Sequence, residues 1–255
     1  MSKESQYTET DIYEGLAPVY DELMRDIDYD FWADYIDDLI QSFHPYAETL
    51  LELACGTGSF ALSMAEYNVY DIMATDLSDG MIGIAKSKDP YHHVKWKVMD
   101  VRNMDIDDRF DIVVMLFDSI NYLMDDKEVV MFLTNVRKLL APKGIFIFDF
   151  TTPINSIEAE PLLNEEYTTK SGWHYVRKSH FDREKGRHYN DFVITPPPSS
   201  PIKKEIRESH CQRVFTLHQM ISLIAKSGCK ILASYEGFDF IEATENSDRI
   251  TMILR

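Results

Sequence analysis

The feature that most constrains this fold is an alternation of strand-like and helix-like runs between residues 49 and 152. The strand-like runs are TLLELA, VYDIMATD, VKWKVMD, FDIVVMLF and, after a predicted turn at APKG, GIFIFDF. The runs with helical apolar spacing are SFALSMAEY, SDGMIGIAKS and DKEVVMFLTNVRKLL. Strands that alternate with helices are joined by crossover connections and form a parallel sheet covered on both faces. We therefore predict an α/β fold with a doubly wound, mainly parallel sheet.

The pattern changes after Thr152. WHYVRKSHFD, RHYNDFVIT and PIKKEIRESHCQRVF alternate polar and apolar residues and read as antiparallel strands, with turns at REKG and PPPSSP. The chain then returns to a helix, LHQMISLIAKSG, and two strands, CKILASYEGF and RITMILR, which complete a predicted seven-stranded sheet. We predict one domain from residues 1–152 and 213–255, with residues 1–45 as a helical lid, and an inserted antiparallel β lobe at 153–212 that caps the substrate site.

Composition excludes several classes of function. The 255 residues carry a net charge of −17, which argues against nucleic-acid binding because phosphates are neutralised by Lys and Arg. The three cysteines are too few and too scattered for a disulfide framework or a zinc site, so we expect no metal. The N-terminus lacks the apolar core of a signal peptide, and no run is long enough to span a membrane. We expect a cytoplasmic monomer or homodimer.

The segment LLELACGTGSF, residues 50–60, breaks a buried strand with two glycines. Gly56 and Gly58 allow a tight turn and close approach of a ligand. Asp76 follows Gly56 by 20 residues at the end of the next strand, where a carboxylate can accept both hydroxyls of a ribose. Asp100 ends the third strand and can accept from an adenine amine.

Two nucleoside cofactors fit this arrangement of acids. GTGSFA matches the dinucleotide pattern G-x-G-x-x-A, which gives an NAD(P)-dependent oxidoreductase as one alternative. That pattern aims a helix N-terminus at a pyrophosphate and has no use for Glu52, four residues before Gly56. S-adenosylmethionine has no phosphate but has a ribose, an adenine, an amino group and a sulfonium cation. Acids at three successive strand ends suit it better.

The sequence resembles the class I S-adenosylmethionine-dependent methyltransferases. The resemblance is carried by LLELACGTG, ATDLS, KVMDVRNM, FDIVVMLFDSINYL and LLAPKGIFIFDF, in order and spacing. YEGLAPVYDELM and the late β lobe are similar to the subgroup of small-molecule and sugar N-methyltransferases. Ala54 stands where the family's first motif usually has glycine.

The resemblance implies a role for each matching position. Glu52 and the backbone of Ala54, Gly56, Thr57 and Gly58 would line the methionine and ribose. The other implied cofactor contacts are Asp76 to the ribose, Leu77 on the adenine, Asp100 and Val101 at the adenine edge, Leu116 and Phe117 near the sulfonium, and Tyr13 and Tyr20 as a cover.

Methyl transfer is an in-line displacement in which the enzyme aligns donor and acceptor and excludes water. The candidate groups facing the methyl are Tyr20, Asp118, Asn121 and Tyr122. DSINY lacks the Asn-Pro-Pro-aromatic tetrad that resembles DNA amino-methyltransferases, which favours a small-molecule acceptor methylated on N or O. A non-catalytic S-adenosylmethionine-binding module is the remaining alternative.

Charge is unevenly distributed along the chain. The segment 170–213 has a net charge of +5, and the rest of the chain has −22. This segment is either a solvated surface that balances an acidic body or a cap that steers an anionic acceptor towards the cofactor.

Overall fold

A computed structural model describes residues 7–255, and residues 1–6 of the predicted N-terminal lid lie outside the described part. The strands are β1 (Tyr7–Glu9), β2 (Thr49–Leu53), β3 (Asp71–Asp76), β4 (Val94–Val98), β5 (Phe110–Met115), β6 (Leu140–Thr151), β7 (Glu165–Thr168), β8 (His174–Asp182), β9 (Arg187–Thr195), β10 (Glu205–Arg213), β11 (Ile231–Glu236) and β12 (Arg249–Leu254). The α-helices are α1 (Tyr20–Leu23), α2 (Tyr29–Phe43), α3 (Ser59–Ala65), α4 (Asp79–Lys88), α5 (Asp126–Leu139), α6 (Pro153–Leu162) and α7 (Leu217–Ser227).

The central sheet has seven strands in the order β11-β12-β6-β5-β2-β3-β4. Strands β2 to β6 run parallel, whereas β12 is antiparallel to both β6 and β11. This arrangement confirms the predicted fold class. Because β2, β3 and β5 are parallel neighbours, their carboxyl ends meet at one edge, which is where open α/β sheets bind ligands.

Helices cover both faces of the central sheet. On one face, α2 buries Trp32, Ile36 and Ile40 in a cluster that also contains residues of α3 and of the strands. The Asp28 carboxylate caps the N-terminus of α2 by accepting from the backbone of Phe31 at 3.0 Å. On the other face, α5 and α7 bury apolar residues against β5, β6 and β12. No helix between residues 7 and 255 has the length and apolar character needed to cross a membrane.

Strand β6 begins earlier than its sequence predicts. Leu140 pairs with Phe110, and pairing resumes at Ile145 opposite Ile112, so APKG forms a bulge within the strand. The predicted turn at APKG therefore lies inside this strand, with Lys143 in the left-handed region at a φ of 73°. Gly144 is required in this bulge, because a Cβ there would lie 2.8 Å from the carbonyl oxygen of Phe110.

The second sheet has five strands in the order β1-β10-β9-β8-β7. The strands β7 to β10 are antiparallel, as predicted for the lobe. Two expectations need correction: the N-terminal segment contributes strand β1, parallel to β10, and is not wholly helical, and the lobe begins with helix α6. The N-terminal segment thus completes the lobe's sheet, which its short polar sequence did not indicate.

Candidate active site

The glycine turn after β2 adopts a left-handed backbone at three positions. Ala54, Gly56 and Gly58 have φ values of 57°, 55° and 77°. A Cβ on Gly58 would lie 2.3 Å from the ring of Trp96, so this glycine is needed for packing against β4. A Cβ on Gly56 would lie 3.4 Å from the Tyr20 ring, so this glycine keeps open the space beneath that ring.

Asp76, at the end of β3, holds the glycine turn in place through hydrogen bonds. Its Oδ2 accepts from the backbone N–H of Gly56 at 2.8 Å, and its Oδ1 accepts from Ser78 at 2.9 Å. Burial raises the pKa of this carboxyl, and the backbone hydrogen bonds oppose that rise. Each oxygen keeps a second lone pair for a ligand hydroxyl. Ser78 also caps α4 by accepting from Met81 at 3.0 Å, as its sequence position predicts.

Glu52 lies within the sheet with only 2% of its surface exposed. Its Oε2 has no hydrogen-bond partner among residues 7–255, while Ala61 donates a backbone hydrogen bond to the carboxylate. Burial, and then the negative charge of Asp76, raises the pKa of Glu52 well above its usual value. A buried carboxylate with an unsatisfied oxygen is costly unless a donor or a cation is supplied to it.

A cavity opens above the glycine turn and is here called the turn cavity. It encloses about 1050 Å³, including its mouth. The predicted cofactor residues that line it are Tyr13, Tyr20, Ala54, Gly56, Thr57, Asp76, Leu77, Asp100, Val101 and Phe117. The remaining three, Glu52, Gly58 and Leu116, do not line it. Leu116 is 1% exposed and packs in the core, so its predicted position beside the sulfonium is not supported.

Asp100 is already paired in the turn cavity. Arg102 donates to both of its carboxylate oxygens, with the closest contact at 2.7 Å, and lowers the pKa of Asp100. Arg102 also lines the turn cavity, although the sequence reasoning did not select it. An exposed ion pair of this kind exchanges readily, so an adenine amine can compete for the carboxylate.

A second cavity, here called the lobe cavity, lies between the central sheet and the β lobe and encloses about 1290 Å³. Its wall includes Asp118, Arg177, His188, His210 and Arg249. Four aromatic residues line both cavities, which therefore adjoin, namely Tyr13, Tyr20, Phe117 and Tyr122.

Backbone strain is concentrated around these cavities. Besides Ala54, three non-glycine residues have a left-handed backbone, namely Tyr13, Phe117 and Asp118, with φ values of 67°, 57° and 51°. Such conformations cost a non-glycine residue of order 1 kcal/mol and cluster at functional sites. The strain is consistent with a site whose side chains are held in fixed directions.

Arg177 on β8 places an unpaired guanidinium in the lobe cavity. Its Nε donates to Asn190 at 2.9 Å, and its guanidinium carbon lies 5.4 Å from the Phe192 ring centroid. Within the described part of the chain, no carboxylate forms an ion pair with it. Burial lowers the pKa of Arg177. Glu165, its partner across β7 and β8, and Asp118 act on this guanidinium through space, but neither contacts it directly. A desolvated guanidinium with no direct carboxylate contact is a suitable partner for an anionic ligand group.

Asp118 and Asp149 flank Arg249 at the far wall of the lobe cavity. The guanidinium donates to Asp118 at 2.7 Å and makes a very short contact with Asp149. Asp118 also accepts from Gln212 at 2.8 Å, so its carboxylate is occupied. This geometry makes Asp118 part of an ion-pair cluster rather than a free base.

The other catalytic candidates separate into two groups. Tyr20 and Tyr122 line both cavities, as a role near the methyl group requires. Asn121 is fully buried and bonds the backbone of Thr151 and Arg213 through its amide. The prediction that Asn121 faces the methyl group is therefore corrected. Its side-chain amide joins β6 to β10.

Sequence reasoning missed Arg177, His210, Glu208 and Arg249. The first three lie on β8 and β10 and meet only through strand pairing in the lobe. The alternation in RESHCQR does place Glu208 and His210 on one face, which was the available signal.

Several known proteins are similar to this chain in sequence. Residues 50–144 match the protein family described as "Methyltransferase domain". The chain is 30% identical over 193 residues to dTDP-3-amino-3,4,6-trideoxy-alpha-D-glucopyranose N,N-dimethyltransferase of Streptomyces venezuelae, covering 69% of this chain and 80% of that protein. It is also 28% identical to YqeM of Bacillus subtilis, over 94% of this chain and 95% of that protein.

A solved structure of an S-adenosylmethionine-dependent methyltransferase from Clostridium acetobutylicum ATCC 824 has the same fold. Its TM-score is 0.77 at 23% identity, over 95% of this chain and 98% of that one. The family match and the dimethyltransferase relative favour neither the nicotinamide oxidoreductase nor the non-catalytic module. The chain belongs to the class I S-adenosylmethionine-dependent methyltransferases, and S-adenosylmethionine is its methyl donor.

Proposed function

We propose that this enzyme methylates an amine of a small acceptor that also carries an anionic group. The observation that carries the proposal is the pair of adjoining cavities, one built on the glycine turn and the other containing the unpaired Arg177. The turn cavity receives S-adenosylmethionine, and the lobe cavity receives the acceptor. The four aromatic residues shared by both cavities surround the path of the methyl group and keep water from it.

The donor is bound by groups from three strand ends. Asp76 accepts the two ribose hydroxyls, and Leu77 and Val101 pack against the adenine, whose amine approaches Asp100. The backbone of Ala54, Gly56 and Thr57 lines the methionine portion, above the buried Glu52. S-adenosylmethionine supplies an electrophilic methyl group on a cationic sulfur. Tyr13 and Tyr20 close the cavity from the N-terminal segment, and Phe117 borders the sulfonium.

Two observations support an amine carrying a negative charge. The Streptomyces venezuelae relative is named as a dimethyltransferase of an amino sugar joined to dTDP, whose diphosphate is anionic. The lobe of this chain carries a net +5 from residue 170 to 213, and Arg177 directs part of that charge into the cavity. A neutral amine already has a free lone pair. The enzyme therefore needs only to align that lone pair with the methyl group. A cytoplasmic location and a monomeric or homodimeric state stay predictions.

An acceptor assay tests this proposal, with S-adenosylhomocysteine formation measured by mass spectrometry. The probes are a dTDP-amino sugar, the same amino sugar without its nucleotide, and the corresponding dTDP sugar with a hydroxyl in place of the amine. We expect Arg177→Gln to raise the KM of the anionic acceptor about 10- to 100-fold, since a charge-assisted hydrogen bond contributes about 1.5–3 kcal/mol.

Arg183→Gln is the matched control, because Arg183 is exposed in the turn after β8. Methylation of the hydroxyl analogue, or of the uncharged amine with an equal KM, would contradict the proposed acceptor class. An Arg177→Gln enzyme with an unchanged KM would remove Arg177 from acceptor binding.

Glu52→Gln is expected to stabilise the free protein while weakening cofactor binding. The folded-state pKa of Glu52 is raised by burial, so the folded protein holds this proton more tightly than the unfolded chain does. The free energy of unfolding therefore rises as the pH falls towards about 4.5. Above the raised pKa of Glu52, its carboxylate is charged and destabilises the fold. We expect Glu52→Gln to gain about 1 kcal/mol in unfolding free energy at pH 8 and to flatten this pH dependence.

The same variant is expected to bind S-adenosylmethionine about tenfold more weakly, because the negative charge of Glu52, which does not line the turn cavity, favours the donor's cationic groups through space. Urea unfolding at pH 5 and pH 8, with calorimetric titration of the donor, measures both effects. Glu48→Gln, exposed just before β2, is the control and should change neither. Wild-type affinity in Glu52→Gln would exclude Glu52 from the donor site.

A further inference from the structure

Glu208 on β10 anchors the N-terminal segment to the lobe. This carboxylate is 2% exposed. Its Oε1 accepts from the backbone N–H of Tyr13 at 2.5 Å, and its Oε2 accepts from Gly15 at 2.7 Å and Leu16 at 3.1 Å. The Thr10 hydroxyl donates to Oε2 at 3.1 Å. Because backbone N–H groups can only donate, Glu208 acts as an acceptor at both oxygens.

This role of Glu208 fixes the tautomer of His210. His210 Nε2 lies 2.8 Å from Glu208 Oε1, so Nε2 must carry the hydrogen. In its neutral form the imidazole then presents a lone pair at Nδ1, which lies 2.8 Å from the Tyr122 hydroxyl. Tyr122 donates to it and accepts in turn from the Tyr13 hydroxyl at 2.7 Å. The four groups form one directional chain of hydrogen bonds.

The chain ends where the two cavities meet. Tyr13 and Tyr122 line both cavities, and the His210 ring stacks edge-on against Tyr13 with centroids 4.7 Å apart. Burial raises the pKa of both tyrosines, so their hydroxyls stay protonated and able to donate. Tyr13 Oη, the last group in the chain, is therefore an acceptor for an N–H at the reaction centre.

We infer that the chain Tyr13–Tyr122–His210–Glu208 takes the proton from a protonated acceptor amine before methyl transfer; this inference rests on the proposed function. The ammonium N–H passes to Tyr13 Oη, the Tyr13 proton to Tyr122 Oη, and the Tyr122 proton to His210 Nδ1. The products of this step are a neutral amine and an imidazolium paired with Glu208. The amine lone pair then forms the N–C bond as the C–S bond breaks, and that electron pair stays on sulfur.

His210 acts through the tyrosines and is thus a positioning residue whose role is visible in a pH profile. The groups that face it are Tyr13 from the N-terminal segment, Tyr122 after β5, Glu208 on its own strand and the ring of Phe192 on β9. The other charged or titratable groups that share the lobe cavity with it are Tyr20, Asp118, Arg177, His188 and Arg249. None of these is hydrogen-bonded to Nδ1, which leaves Tyr122 as its route to the acceptor.

The first test needs no acceptor. Protein labelled with ¹⁵N-histidine reports the His210 tautomer by long-range ¹H–¹⁵N correlation, assigned with His210→Gln. We expect hydrogen on Nε2 and a bare Nδ1 whose chemical shift moves in Tyr122→Phe. Hydrogen on Nδ1, or no response to Tyr122→Phe, would overturn the inference even if no amine is methylated.

The second test uses the dTDP-amino sugar probe and kcat measured from pH 6 to pH 10. We expect His210→Gln to lower kcat about 100-fold at pH 7. That loss should shrink about tenfold per pH unit as the amine loses its own proton. A loss independent of pH would assign His210 a structural role only and overturn the inference.

His180→Gln is the control for the second test, because His180 is exposed on β8 and pairs with Glu160. It should leave the pH profile unchanged. If the wild-type enzyme methylates no probe, the proposed function fails and the inference fails with it, whereas a contrary tautomer result overturns the inference alone.

Discussion

Asp76→Ala is expected to bind S-adenosylmethionine about 100-fold more weakly than the wild type. The carboxylate would supply two charge-assisted hydrogen bonds to the ribose, and it also holds the glycine turn through Gly56. Removing both contributions costs about 2.7 kcal/mol, which corresponds to that factor. Asp76→Asn keeps one acceptor oxygen, so its affinity for S-adenosylmethionine should lie between those of the wild type and Asp76→Ala. Isothermal titration calorimetry with S-adenosylmethionine, S-adenosylhomocysteine and NAD measures the three affinities.

Asp71→Asn is the matched control for this prediction. Asp71 begins the same strand at its opposite end and pairs with Lys95 in solvent at 2.8 Å. It should bind both adenosyl ligands normally. Wild-type affinity in Asp76→Ala, together with an unchanged melting temperature, would place the ribose elsewhere in the turn cavity.

Arg249→Met is expected to lower the free energy of unfolding by about 3–5 kcal/mol. Asp149 is fully buried, and its Oδ1 has no partner among the described residues. Its Oδ2 accepts from Arg249 and from the backbone of Asp118. Burial raises the pKa of Asp149 to about 6 even with Arg249 present. Without that cation the pKa of Asp149 rises further, so at neutral pH the protein must either keep an uncompensated buried charge or bind a proton, and either lowers the free energy of unfolding.

Thermal unfolding at pH 7.5 measures this effect, and a fall of about 10 °C is expected for a chain of this size. Adding Asp149→Asn to Arg249→Met should recover much of the loss, because the buried charge is then gone. Arg207→Met is the control, since Arg207 pairs with Glu205 in an exposed position and should cost under about 1 kcal/mol. A small effect of Arg249→Met would mean that water reaches Asp149 easily.

Several predicted cofactor residues come together in the turn cavity for a physical reason. Parallel strands align their carboxyl ends, so acids placed after successive strands meet whatever the details of packing. Asp76 and Asp100 line the turn cavity for this reason. Leu116 was placed less well because it continues the alternation of β5 and packs in the core with Ile112 and Val114. Asn121 was placed less well because the chain reaches it through the left-handed residues Phe117 and Asp118. Side-chain directions after such residues follow neither a helical nor a strand period.

The lobe cavity could not be predicted from the sequence. Arg177 faces Phe192, and His210 reaches Tyr122, only through the register of β8, β9 and β10. Alternation excludes a register shift of one residue, which would turn each side chain to the opposite face, but it does not exclude a shift of two, which keeps the faces and changes the cross-strand partners. The parallel strand β1 gave no signal, because three residues are too few to show a period.

The contacts of Glu208 have a consequence for the order of folding. Thr10 and Tyr13 lie 198 and 195 residues before the carboxylate that holds them. During synthesis these two residues are made long before Glu208 is. Contacts of such long sequence separation form late, because their loop entropy must be overcome. The segment that contains Thr10 and Tyr13 is thus expected to dock late although it is synthesised early, and the site is complete only then.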